Sequence, residues 1–439
     1  MDLVLICPNQ NEPYSGLDRA IEPPIWAGMI AEANRRKGRS VAIVDANAFD
    51  LSAEDAAEAA AAYSPKRVEI VVMGHNPSAS STPLMPEAVR LVRALARTCL
   101  GTEVTMSGLH PAAMGPFTLA NPVQHVWVQY DAPCGPVAWD ALPMDMYRAH
   151  NWHAFGYESR SPYAAIYTSL GCPFKCSFCN IHVLSPKYRA FPVEDVLSEI
   201  DLLVTKYGVK HLKIADELFV LNRKRVAEIC DALIERKYDL NIWCYGRVDT
   251  VSPQLLQKMK RAGFNWIAYG FESASERVRN GVDKGTTERQ AEDAIEWTED
   301  AGIHICANAI FGLPDDDQDT MQQTLDWLQS KNFAWANLYC AMAYPGSPLY
   351  DTVPKEHLPD SWAGYGQLAY ECQPLPTKHL TSREVLAFRD SAFRQYFDRP
   401  EYQNMIARKF GTQAMLDVQA MLKTPLKRKL LECASPSAT

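Results

Sequence analysis

Short apolar runs alternate with amphipathic segments along most of the chain, and no other feature limits its fold as much. Apolar runs occur at 2–7, 40–45, 69–74, 103–107 and 125–130, with helical patterns near 24–37, 53–62, 84–98 and 111–120. Continuous apolar strands alternating with helices imply a parallel sheet covered on both faces. Such a series predicts a Rossmann-like or flavodoxin-like α/β domain over 1–130. Residues 131–160 break the rhythm with Pro133, Pro136, Pro143, Trp139 and Trp152, and read as a structured linker. From 164 the alternation resumes, with strands expected at 164–170, 209–215, 241–247, 266–272, 303–311 and 335–343. Helical patterns fall near 193–206, 223–236, 253–262, 287–301 and 318–330. These units predict a partial, TIM-like (β/α)6 barrel over 161–350, with its active site at the C-terminal strand ends. Residues 351–439 are helical in pattern, especially 381–396 and 399–422, and are expected to brace the barrel.

Directly after the first barrel strand stands Gly-Cys-Pro-Phe-Lys-Cys-Ser-Phe-Cys-Asn, residues 171–180. Cys172, Cys176 and Cys179 have C-x3-C-x2-C spacing, which lets one tight loop grip three irons of a [4Fe–4S] cube. The fourth iron then has no protein ligand and can chelate a small molecule. Soft thiolates also suit zinc, but zinc sites usually pair C-x2-C units or add histidines at fixed spacing. Here only His182 follows, and no further cysteine appears before Cys230.

With Phe178 at the aromatic position before Cys179, the run resembles the cluster motif of radical S-adenosylmethionine (SAM) enzymes. The resemblance implies that the amino and carboxylate groups of SAM chelate the open iron. It further implies that an electron from the cluster splits SAM to a 5′-deoxyadenosyl radical, which abstracts hydrogen from a substrate. It also implies SAM-holding groups at the later strand ends. Asp216 and Glu217 stand where the family has an acidic segment for the SAM ammonium, and adjacent strand residues face opposite sides, so one of the two is expected to serve. Arg247 suits the SAM carboxylate through its guanidinium fork, with a rim ion pair to Asp249 as the alternative. Glu272 and Ser273, in Gly-Phe-Glu-Ser, resemble the family segment that meets the ribose or methionine part. Asn308, ahead of Ile310-Phe311-Gly312-Leu313-Pro314, resembles the adenine segment, while Asp315-Asp316-Asp317 reads as a helix N-terminal charge cluster. Tyr344 and Pro345, in Tyr-Pro-Gly-Ser-Pro, resemble the stretch that closes over adenine.

A Rossmann-like domain ahead of such a barrel resembles the subclass with a B12-binding domain. Pro23-Pro24-Ile25-Trp26, Gly74 to Ser80 and Ser107-Gly108-Leu109-His110 fit that likeness. The cobalt-ligand motif D-x-H-x-x-G is absent, and neither His75 nor His110 lies in one. The sequence therefore favours a domain without cobalamin. The C-terminal segments around Trp362, Tyr370 and Arg399 resemble members that modify sugars, in particular the diol dehydratases of aminoglycoside pathways. That likeness implies dehydration of a polyhydroxylated amino-sugar, an electron donor of the flavodoxin or ferredoxin type, and a partner reductase. Cobalamin-dependent methyl transfer is the second reading, and a non-catalytic iron–sulfur scaffold the third. Glu12, Tyr14, Trp152, His153 and Glu371 are candidate pocket walls.

A net charge of −8 argues against nucleic acid and anionic membranes as partners. No apolar run approaches the roughly 20 residues of a membrane span. Twelve cysteines without a secretory signal suggest the reducing cytoplasm.

Overall fold

The computed structural model describes residues 1–10, 19–73, 84–115, 117–120, 123–129 and 135–432, with 117–120 and 123–129 described by backbone alone. The first sheet contains β1 (Leu3–Cys7), β2 (Val41–Asp45), β3 (Arg67–Val71), β4 (Glu103–Ser107), β5 (Phe117–Ala120) and β6 (Val123–Gln129). Its order is β2-β1-β3-β4-β6-β5, parallel except for the antiparallel edge strand β5. Helices α1 (Ile25–Arg35), α2 (Ala53–Ala61), α3 (Met85–Thr98) and α4 (Leu109–Met114) intervene. This is the flavodoxin-like order, with its switch point between β1 and β3. Strand β5 replaces the end of the helix expected over 111–120. Gly115 and Pro116 directly follow α4, and that pair stops a helix.

The second sheet contains β7 (Tyr163–Ile166), β10 (His211–Ile214), β11 (Asn241–Gly246), β12 (Phe264–Glu272), β13 (His304–Phe311) and β14 (Trp335–Cys340). All neighbours pair in parallel, in the order β14-β13-β12-β11-β10-β7, so the barrel is open between β7 and β14. A two-stranded antiparallel clip, β8 (Ser169–Leu170) with β9 (Arg189–Ala190), follows β7. The outer layer is α5 (Val193–Tyr207), α6 (Arg223–Arg236), α7 (Pro253–Arg261), α8 (Glu276–Asn280), α9 (Glu288–Asp300) and α10 (Gln318–Lys331). After α11 (Pro348–Thr352), the long helices α12 (Ser382–Phe397), α13 (Pro400–Phe410) and α14 (Thr412–Leu422) brace the β14 side. Tyr396 and Tyr402 donate to the carbonyls of Phe333 and Ala334 at the start of that strand. Helix starts follow local chemistry. Thr287 with Gln290 and Thr381 with Glu384 form capping boxes. Asp317 caps α10, so the acidic triplet does begin a helix.

Residues 135–160 bind the two sheets together. Trp152 plugs the N-terminal end of the barrel, its ring 5.1 Å from Trp243 and 5.2 Å from Trp266, with Trp335 beyond at 6.2 Å. Tyr147 donates to Asp45 at the end of β2 over 2.8 Å. Glu22, ahead of α1, reaches the barrel interior, where Lys213 of β10 donates to both its oxygens at 2.9 Å and Tyr163 of β7 donates at 3.2 Å. The first domain thus covers the open β7 edge with a buried ion pair. Among the described residues no helix is long and apolar enough to cross a membrane.

Candidate active site

The cysteine loop starts at the C-terminal end of β7, and its two ends are clipped together by β8 and β9. Gly171 makes the entry turn at φ +81°, where a Cβ would lie 2.4 Å from the Lys187 carbonyl. Only glycine fits so close to a backbone in that conformation. Three neighbours pin the loop: Ser177 donates to the Val282 carbonyl, Leu349 donates to that of Ser177, and the Asn180 amide reaches the Pro345 carbonyl. The Cys179 amide donates to the Cys176 carbonyl over 3.0 Å, which curls the loop. Cys172, Cys176 and Cys179 all line one cavity. Among the described residues no three His, Cys, Asp or Glu side chains converge as a single metal ion requires. In the metal-free chain, burial pushes the Cys179 thiol up to about 12 and raises that of Cys172, so ligation must displace protons.

The cavity and the solvent in its open mouth together span about 1110 Å³. Each strand end contributes. Glu217 faces the cavity after β10, accepts from the Gly171 amide over 2.8 Å, and has its carboxyl pushed up to about 8 by burial. Glu272 closes β12 at φ +64°, where the register against β13 shifts between Gly270 and Glu272. Such an irregularity re-aims a side chain. Here it turns the Glu272 carboxylate onto Lys284 at 2.7 Å, inside the cavity. Gly270 gives them room, because a Cβ there would lie 2.4 Å from Glu272 Oε1 and 2.8 Å from Lys284 Nζ. Asn308 lines the wall, donating to the Tyr269 carbonyl and accepting from Asn337. Phe178 and Ile310 give the cavity apolar surface, and Tyr344 receives a hydrogen bond from Gln367 over 3.3 Å.

Two open alternatives close here, at Asp216/Glu217 and at Arg247, and two expectations, at Ser273 and Pro345, change. Asp216 is fully buried behind the loop, accepting from Thr168 and Ser169, and braces the strand end rather than meeting a ligand. The alternation along the segment sends Glu217 alone into the cavity. Ser273 lies outside the barrel, bonded to Thr324 at 3.1 Å, because the turn at Glu272 carries the chain away. Pro345 offers only its carbonyl, to Asn180. Arg247 does line the cavity, but its Nε is held by Asp249 at 2.8 Å and another nitrogen by the Lys284 carbonyl, while its plane stacks 4.0 Å over Phe174. Only its third nitrogen, 4.0 Å from Cys176 Sγ, remains toward the cavity, so a two-pronged grip on a carboxylate is not offered. Of the candidate walls, Trp152 is at the barrel floor, His153 is buried against the Asn241 carbonyl and Glu371 is exposed. Glu12 and Tyr14 lie outside the described residues. Lys284, Gln367, Tyr245 and Tyr339 also line the cavity and carry no local motif that marks them.

A second cavity, of about 610 Å³, lies at the flavodoxin-like switch point. Pro23, Pro24 and Trp26 give it apolar walls, Asp45 and Asn47 polar ones, and Tyr167 and Ala215 close it from the barrel side. This position and mixed lining fit part of a corrin cofactor. No described lining residue is a histidine. His110 is instead buried against Trp362, ring centroids 4.8 Å apart. Gly74 to Ser80, with His75, lie outside the described residues.

Residues 166–328 match the model of the radical SAM superfamily, so the barrel carries a radical SAM domain. A Pyrococcus horikoshii protein described as an uncharacterized methyltransferase is 28% identical over 267 residues, 60% of this chain and 56% of the relative. Other relatives are named as methyltransferases of a phosphonate in Streptomyces wedmorensis and of bacteriochlorophyllide d in Chlorobaculum tepidum, and as a magnesium-protoporphyrin ester cyclase in Cereibacter sphaeroides. The chain spans about half the length of the curated relatives it matches. The fold matches the cobalamin-dependent SAM radical enzyme OxsB with aqua-cobalamin bound, at TM-score 0.64, 14% identity, 96% of this chain and 72% of that one. It also matches the methyltransferase TsrM of Kitasatospora setae with cobalamin and a [4Fe–4S] cluster bound, at TM-score 0.60, 15% identity, 80% of this chain and 74% of that one. At these identities the likeness is one of fold, and it takes in the first domain as well as the barrel. The names of these relatives overturn the sequence-based preference for sugar dehydration, and the solved neighbours carry the cobalamin that the sequence did not favour.

Proposed function

We propose that the chain is a cobalamin-dependent radical SAM methyltransferase of the reducing cytoplasm. One observation supports this reading: the switch-point cavity and the cluster cavity are both lined from the short segment that follows β10. Ala215 closes the first and Glu217 lines the second, two residues apart after β10. That common segment would bring a group held by the first domain toward the one held by the cysteine loop. The names of the methyltransferase relatives support the same reading. When bound, the cluster supplies the electron that splits SAM, SAM the methyl and adenosyl groups, and the corrin a methyl carrier. The chain's residues divide the binding among themselves. Cys172, Cys176 and Cys179 hold iron. Glu217, the Glu272–Lys284 pair and the open nitrogen of Arg247 meet the charged methionine end of SAM. Ile310, Tyr344 and Phe178 supply apolar contact for its adenosyl part, and Asn308 a polar one. Anaerobic reconstitution with iron, sulfide and cobalamin, followed by SAM with dithionite as the electron source, tests the reading. About one corrin per chain is expected, with S-adenosylhomocysteine and 5′-deoxyadenosine both formed. A chain with a full cluster that retains no corrin overturns it.

A further inference from the structure

We propose that a third cavity, on the outer side of the barrel, binds an apolar α-amino acid. The inference goes beyond methyl transfer and uses no part of the cluster cavity, with which this one shares no lining residue. The third cavity lies between α9 and α10, and with the solvent in its mouth it spans about 550 Å³. Its apolar walls are Val248 after β11, Phe271 near the end of β12, Ala291 of α9 and Trp327 of α10. Phe271 and Trp327 meet edge to face, ring centroids 5.0 Å apart.

Arg279 lines the same cavity and is only 5% exposed. Its Nε donates to the Thr286 carbonyl over 3.1 Å and its Nη1 to the Ser273 carbonyl over 2.7 Å. Among the described residues, its Nη2 is buried without a hydrogen-bond partner, and no carboxylate forms an ion pair with the guanidinium. A buried charged donor without an acceptor is costly, and few folded chains keep one. A carboxylate entering the cavity supplies that acceptor. Glu288 lines the mouth, exposed and without an ion pair among the described residues. It is close enough to act on Arg279: burial lowers the guanidinium, and Glu276 and Glu288 oppose that shift. A purely anionic ligand meets repulsion from Glu288 on its way in. A ligand with an ammonium beside its carboxylate meets both charges with the right sign, and its apolar side chain packs on Phe271 and Trp327. An apolar α-amino acid has those three parts.

The test is equilibrium dialysis of labelled L-phenylalanine against the chain with its cluster reconstituted. One molecule per chain is expected, with a dissociation constant below about 1 mM. Saturating SAM should not displace it, since SAM takes the other cavity. Hydrocinnamate, which lacks the ammonium, and phenethylamine, which lacks the carboxylate, should each bind at least about tenfold more weakly. Arg279 ties together the ends of the segment that carries Lys284, so the variants leave it in place. Glu288→Gln should weaken phenylalanine at least about tenfold and bind hydrocinnamate no more weakly than the parent does. Ala291→Leu should fill the cavity and abolish binding of both, while iron content and SAM affinity stay as in the parent. No saturable binding up to about 10 mM, displacement by SAM, or equal phenylalanine affinity in the parent and both variants overturns the proposal. None of these results bears on the corrin reading, because the readout needs neither corrin nor methyl transfer.

Discussion

Glu272 shows how a single backbone angle makes a site. Two residues beyond Gly270 on the cavity side of β12, it ends the strand at a positive φ with its carboxylate on Lys284. Burying a carboxylate alone is costly, and pairing makes it tolerable. Gly270 is the residue that lets both groups approach. We expect Gly270→Ala to raise the SAM dissociation constant at least about tenfold, or about 1.4 kcal/mol, because the new methyl displaces both charged ends. Iron content per chain should not change, since the cysteine loop is untouched. Anaerobic calorimetry with SAM beside an iron assay separates the two. The motif Gly-Phe-Glu-Ser pointed to Glu272, but it could not separate Glu272 from Ser273. That choice depends on the register shift against β13, which is set by the neighbouring strand and not by the motif.

At the scale of elements, the end of β2 is tied to the linker by Tyr147 and Asp45. Burial pushes the Asp45 carboxyl up to about 6, against about 3.9 in an unfolded chain. The folded protein therefore holds this proton more tightly than the unfolded one. Its contribution to stability is fully present below about pH 4 and is lost as pH rises through about 6. Asparagine can still accept from the Tyr147 hydroxyl but carries no proton equilibrium. Between pH 5 and 7.5, Asp45→Asn should gain roughly 1–1.5 kcal/mol relative to the parent, read from denaturant unfolding at both pH values. A parent and variant that shift in parallel would show that Asp45 does not titrate in this window. The strands and helices themselves were legible because their apolar periods are local. Strand β5 was not, since its apolar run is short and sits where a helix pattern had begun.

Over the whole molecule, one buried ion pair joins the domains. Glu22 and Lys213 have side chains 6% and 2% exposed, so neither charge has water to fall back on. Lys213→Met should cost several kcal/mol, roughly 3–5, because Glu22 loses the cation that donates to both its oxygens and keeps Tyr163 at 3.2 Å and the His150 ring at 3.8 Å. Adding Glu22→Gln should recover much of that loss, since the stranded charge is then gone. Denaturant unfolding of the single and double variants gives the coupling, and equal losses in both would dissociate the pair from domain docking. The same contact closes the open barrel edge, so the first domain is a wall of the barrel even apart from any cofactor.

Local pattern was enough for the two sheets, the cluster loop and its three cysteines, because a strand's apolar period and a C-x3-C-x2-C turn depend on near neighbours. Tertiary packing decided the rest. Lys284 and Gln367 reach the cavity from loops far along the chain, Asp216 and Ser273 are turned away from it, and Arg247 is occupied before any ligand arrives. Each outcome depends on which distant backbone lies alongside. The seating of the first domain was decided at the same level. Its missing histidine motif is a local feature, but the switch-point cavity gains Tyr167 and Ala215 as walls only when Glu22 and Tyr147 seat the domain against the barrel.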